Sequence, residues 1–133
     1  MRADTKTISI EAEPGKVFRF VSDPAQLPRW AVGFAKAVRR DADGWLVVTS
    51  SREIPVRVRA DPASGVVDFV MRPEPGVEVT AWSRVLARGA GAEYVFTQVQ
   101  PPGMPPDAFE RSAAAVAHEL AALKALLEVD CPA

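Results

Sequence analysis

One apolar stripe constrains this chain more than any other feature. Phe109, Ala113, Val116, Leu120, Leu123 and Leu127 follow one another at 4-3-4-3-4 spacing within a helical stretch of roughly Asp107 to Glu128. That spacing puts all six on one face of an α-helix. A coiled coil would need further heptads, so the stripe should be covered by the rest of the same chain. Asp107 with Glu110 resembles a capping box at the helix start, with Asp in place of Ser or Thr.

The cover has to be a sheet. From about Phe34 to Gln100 the sequence is punctuated by the turn signals "DADG", "SSRE", "DPASG", "PEPG" and "GAGA". Five or six short alternating segments lie between them, as in an antiparallel meander. In "IPVRVRA", Ile54, Val56, Val58 and Ala60 alternate with Pro55, Arg57 and Arg59. A "PASG" loop sets Val58 opposite Phe69, Ala60 opposite Val67, and Arg59 opposite Asp68. A turn centred on Ala90 and Gly91 sets Val85 opposite Phe96, Ala87 opposite Tyr94, and Arg88 opposite Glu93. Both hairpins then have one apolar and one charged face, so the sheet buries a single side.

Ahead of the meander, "TKTISIEA" reads as a strand through Ile8 and Ile10. "EPGKVFRFVSD" reads as a short helix with Val17, Phe18 and Val21 on one face. Asp23 can cap a second short helix with Pro24 in its first turn, and Pro28 should limit it just before Trp30. The expected architecture is α+β: a strand, two short helices, an antiparallel sheet of six to seven strands in all, and a long C-terminal helix. No repeat or linker divides residues 1–133, which are read as a single domain.

Charge and composition exclude several functions. Net charge is −1 with mixed signs throughout, so no basic footprint for nucleic acid exists. No uncharged run is long enough to span a bilayer, and "MRADTKTISI" lacks an apolar leader core. A cytoplasmic location is the resulting expectation. The one cysteine, Cys131, excludes an internal disulfide or a multi-cysteine metal site, and is expected on a solvated tail. There is no GxSxG nucleophile elbow and no glycine-rich phosphate loop. No cofactor and no metal is expected.

The stretch "EPGKVFRFVSDPAQLPRW" resembles the opening of the START-like, helix-grip superfamily (SRPBCC), especially its polyketide cyclase/dehydrase branch. "AEYVFTQVQPPGM" followed by "FERSAAAVAHELAALKALLE" resembles the last strand and closing helix of that superfamily. The resemblance implies a curved sheet gripping the long helix, with an apolar ligand cavity between them. It brings no catalytic residues, because the superfamily has no universal set.

Trp30, Trp45, Val58, Phe69, Ser83, Tyr94, Phe96, Gln98, Met104, Phe109 and Val116 are the candidate ligand-binding residues. Their phase points them to the apolar side of the sheet, to the helix stripe, or to the segments beside them. Each aromatic could equally fill a core. Trp30 and Met104 are expected near the entrance, and Ala113, Ala117 and Ala121 leave space on the helix. Ser83 and Gln98 are expected inward and opposite one another, where a ligand, a water or each other must satisfy them. His118 lies about 180° from the stripe and should face water, as most acids should. Trp82 points outward, as a bulge, an interface or a surface patch would require.

The function expected first is binding of a small apolar or aromatic molecule. A cyclase-like enzyme would need an inward acid or base, such as Tyr94 held near Ser83 and Gln98. A third class is an interaction module resembling the Hsp90-ATPase-activator branch, and a homodimer stays open.

Overall fold

A computed structural model describes residues 1–129. Cys131 lies outside the described residues. The elements run β1 (Ala3–Ile10), α1 (Pro14–Val21), a 3-10 turn (Pro24–Gln26), α2 (Leu27–Trp30), β2 (Ala37–Asp41), β3 (Gly44–Val48), β4 (Glu53–Asp61), β5 (Val66–Glu74), β6 (Val77–Arg88), β7 (Gly91–Val99) and α3 (Pro106–Val129). The seven strands form one curved antiparallel sheet in the order β1-β7-β6-β5-β4-β3-β2, so the first strand closes beside the last.

Pro14 starts α1, and Val17 and Val21, one turn apart, are both buried. Asp23 caps the 3-10 turn by accepting from the Ala25 amide at 3.0 Å, as its residue type suggests. Pro28 does not end the second helix. It occupies the first turn of α2, where its missing N–H costs nothing, and Leu27 and Trp30 of that helix are buried.

The β4–β5 hairpin has the expected register, with Val58 opposite Phe69 and Ala60 opposite Val67. Ala60 is nonetheless exposed and Val58 half-buried, so burial along β4 fades after Val56. The β6–β7 hairpin differs by two residues: Val85 faces Tyr94, Ala87 faces Ala92, and Ser83 faces Phe96. Gly89 is the cause. Its φ of +60° meets the positive φ that a two-residue hairpin loop demands, which moves the turn to Gly89–Ala90. A two-residue shift keeps every side chain on its expected face but parts Ser83 from Gln98. Gln98 instead pairs with Asp4 of β1, and Arg88 still lies 3.5 Å from Glu93.

The stripe on α3 is buried at Phe109, Val116, Leu120, Leu123 and Leu127, and half-buried at Ala113. His118 faces solvent as expected, but so do Ala117 and Ala121. The capping box does not form. Phe109 N bonds Pro105 O at 3.0 Å, Asp107 pairs with Arg111, and Glu110 pairs with Arg2 of the neighbouring strand end. No described helix is long and apolar enough to cross a membrane.

Candidate functional site

The helix α3 does two jobs along its length. Its closest backbone approaches are to β1 and α2 rather than to the middle of the sheet. Leu120, Leu123 and Leu127 join Ile10, Val17 and Val21 in the packed core. The first half of α3 stands over the sheet, and its Phe109, Ser112, Ala115, Val116 and Glu119 wall a cavity of about 700 Å³. The facing wall is Ile54, Val56, Phe69, Met71, Ala81, Phe96 and Gln98 of the sheet, with Leu27 and Trp30 of α2 beside it. Two of the lining side chains, Ala81 on β6 and Ala115 on α3, are small and take up little of the space. Ala113, Ala117 and Ala121 do not reach it. The exposed lining residues Arg52, Glu74, Val77, Pro102, Gly103 and Arg111 mark the mouth, between the loops at one end of the sheet and the start of α3, and Gly33 is a further exposed border beside Glu119.

Trp30 belongs to the wall rather than the mouth. Only 3% of it is exposed, and its ring packs edge-on to Tyr94 at 6.2 Å and tilted on Phe69 at 6.4 Å. Phe96 extends this cluster, 6.5 Å from Phe69 and 6.4 Å from Tyr94. Met104 does sit at the rim, half-buried on the loop before α3. Phe69, Phe96, Gln98, Phe109 and Val116 line the cavity. Trp45, Val58, Ser83 and Tyr94 stand outside it. Trp45 is half-buried on β3 beneath the Arg40 guanidinium, 5.1 Å from the ring centre. Trp82 projects outward and is 44% exposed.

The polar pair Ser83 and Gln98 differs from expectation. Buried Ser83 donates its hydroxyl to the Val67 carbonyl across the sheet and needs no ligand. It lies near the Tyr94 hydroxyl without giving it a well-aligned bond. Burial pushes the Tyr94 phenol far above its usual value, so it is no acid or base near neutrality. Gln98 accepts from Ser112 of α3 at 3.2 Å, while its Nε2, like Trp30 Nε1, is buried without a partner.

The site residue that sequence reasoning passed over is Glu119. It is 7% exposed, lines the cavity, and accepts from the Gly33 amide at 3.0 Å with the Phe34 amide nearby. Gly33 allows this approach, since a Cβ there would come within 3.3 Å of both Ala115 and the carboxylate. Burial raises the Glu119 carboxyl to about 7, with the two amides acting the other way. The signal was present. Position 119 is three after Val116 and four before Leu123, so a charge there falls on the buried face.

The sequence profile of the family described as polyketide cyclase/dehydrase and lipid transport matches residues 1–128. No curated protein matches the sequence. Among solved structures, a START superfamily protein from Mycobacterium smegmatis is 16% identical with TM-score 0.72, covering 95% of this chain and 97% of its own. The di-domain aromatase/cyclase BexL of the BE-7585A biosynthetic pathway is 21% identical with TM-score 0.73, and 98% of this chain covers 47% of it. The Aha1 dimer from Colwellia psychrerythraea is 16% identical with TM-score 0.71, covering 99% of this chain and 100% of its own.

Proposed function

The chain belongs to the polyketide cyclase/dehydrase and lipid transport family, and from that premise we propose that it holds a small apolar or aromatic molecule between the sheet and α3. The observation that carries the reading is the cavity itself. Its volume of about 700 Å³ and its walls of Trp30, Phe69, Phe96, Phe109 and Val116 suit a ligand of two or three fused rings or a bent acyl chain. Few polar groups reach it, which favours recognition by shape and burial over a network of hydrogen bonds. The test is titration with N-phenyl-1-naphthylamine, a neutral dye that brightens when taken out of water. Wild type should enhance its emission saturably, and Ala81→Phe, which fills the cavity from β6, should abolish the response while its circular dichroism stays native. Undiminished enhancement in Ala81→Phe would put the dye elsewhere and end this reading. Native mass spectrometry of the purified protein would identify any molecule that it carries.

A second reading, a cyclase-like enzyme, is favoured by one feature: a carboxyl near neutral pKa in the cavity wall, which suits proton transfer. Hydrogen–deuterium exchange at C1 of 2-tetralone tests it. The reading requires faster exchange with wild type than with Glu119→Gln. The interaction-module reading rests on exposed Trp82 alone, and a Trp82→Ser variant with unchanged sedimentation across concentration would count against self-association there.

A further inference from the structure

Of the two acids that line the cavity, Glu74 is exposed and Glu119 is buried. The other charged lining groups, Arg52, Glu74 and Arg111, are exposed at the rim. Both rim arginines have carboxylate neighbours, Glu74 at 3.9 Å from Arg52 and Asp107 at 3.3 Å from Arg111. Among the described residues no cation pairs with Glu119. The Gly33–Phe34 loop contributes amides, and the strand and α2 residues lining the same cavity include the apolar Ile54, Val56, Phe69, Met71, Leu27 and Trp30. Lys36, the cation nearest in sequence on that loop, is exposed and bonds the Val32 carbonyl. On α3, His118 points to solvent. No charged side chain contributes to the shift of the carboxyl.

A carboxyl in apolar surroundings with two amide donors and no cation either keeps its proton or takes a cation as partner. Aromatic rings in the same wall add faces that favour positive charge. An anionic ligand would be repelled once the carboxyl ionises, and a neutral hydrocarbon would leave that charge uncompensated.

We propose that the cavity selects ligands that carry a protonated amine on an apolar or aromatic body, with Glu119 as the counter-ion. This rests on the ligand-binding reading above and assigns it a chemical class. The ammonium bonds the carboxylate at the end of the cavity bounded by Gly33, and the apolar body lies along Trp30, Phe69 and Phe96. Because the carboxyl is half-protonated near neutrality, taking up the cation expels a proton, and amine affinity rises with pH.

Three compounds of one shape test this: 1-naphthylmethylamine, 1-naphthylmethanol and 1-naphthoate, each titrated by calorimetry at pH 6 and pH 8. At pH 8 wild type should bind the amine about tenfold more tightly than the alcohol, equivalent to one ion pair of modest strength. At pH 6 that preference should shrink several-fold, while naphthoate binding improves. Glu119→Gln should bind amine and alcohol equally at both pH values, and Glu119→Asp should restore part of the preference. Alcohol bound as tightly as amine by wild type at pH 8 overturns the amine assignment and leaves ligand binding intact. Should none of the three bind, the cavity reading falls and this inference with it. The pH comparison uses wild type alone, so the proposal stays exposed to refutation even if Glu119→Gln folds poorly.

Discussion

At the scale of single residues, Glu119 makes the sharpest demand on stability. Its carboxyl titrates at about 7 in the folded chain against an ordinary 4.5, the displacement coming from burial. Between those values the folded state keeps a proton that the unfolded chain has released, so stability falls as pH rises through this window and levels off above it. The full displacement corresponds to roughly 3 kcal/mol. Glu53, Glu93 and Glu128 are shifted the other way by bonds from Arg39, from Ser9 and Thr7, and from the Glu11 amide and Lys124. Their contribution is gained at lower pH and is complete by about pH 5. Urea titrations at pH 5 and pH 8 therefore isolate Glu119: wild type should be the weaker at pH 8, and Glu119→Gln should show little difference. A wild type equally stable at both values would mean that the carboxyl is solvated. Ser83 tests the opposite kind of residue. Its hydroxyl is spent on the Val67 carbonyl outside the cavity, so Ser83→Ala should cost about 1 kcal/mol and leave dye affinity unchanged. A loss of affinity with intact stability would return Ser83 to the site.

At the scale of elements, α3 divides into a half that holds the fold and a half that lines the cavity. Leu120→Ala should cost roughly 2–5 kcal/mol, because it empties a well-packed position between sheet and helix. His118→Ala, one turn face away and exposed, should stay within about 0.5 kcal/mol. Urea midpoints of the two variants settle the helical phase, and similar losses would contradict it. That phase was legible in the sequence because periodicity alone determines which side of a helix is dry. The β4–β5 register was legible for a related reason, since the "PASG" loop and the Arg59–Asp68 pair agree on one alignment. The β6–β7 register was not, because "GAGA" offers two glycines and only backbone torsion chooses Gly89 for the positive φ. The cavity was legible only through family resemblance. Whether Phe69 and Phe96 fill a core or face a void depends on how far α3 stands from the sheet, and that distance is set by β1 and α2. Glu119 was hidden by the habit of assigning acids to water, although its phase placed it with Val116 and Leu123.

At the scale of the whole molecule, the cavity separates the first half of α3 from the middle strands, which it packs on little elsewhere. The first half of α3, the middle strands, α2 and the rim loop all border it, while direct packing holds α3 chiefly at β1 and α2. A ligand there completes the core, so its binding should appear as global stability rather than as local ordering. For one site, ligand at a hundredfold its dissociation constant adds about 2.7 kcal/mol, a rise of several degrees in midpoint for a chain of this size. N-phenyl-1-naphthylamine should raise the thermal midpoint of wild type accordingly. Ala81→Phe puts a ring into the same space permanently, opposite Phe69, so its midpoint without dye should equal or exceed that of wild type and should not respond to dye. The pair of melts distinguishes a cavity from a sticky surface. Dye that binds wild type without moving its midpoint has not entered the space between sheet and helix, and exposed Trp82 would then be the place to look. A midpoint of Ala81→Phe several degrees below wild type would show that the cavity walls are already in contact and that no room exists for a ligand.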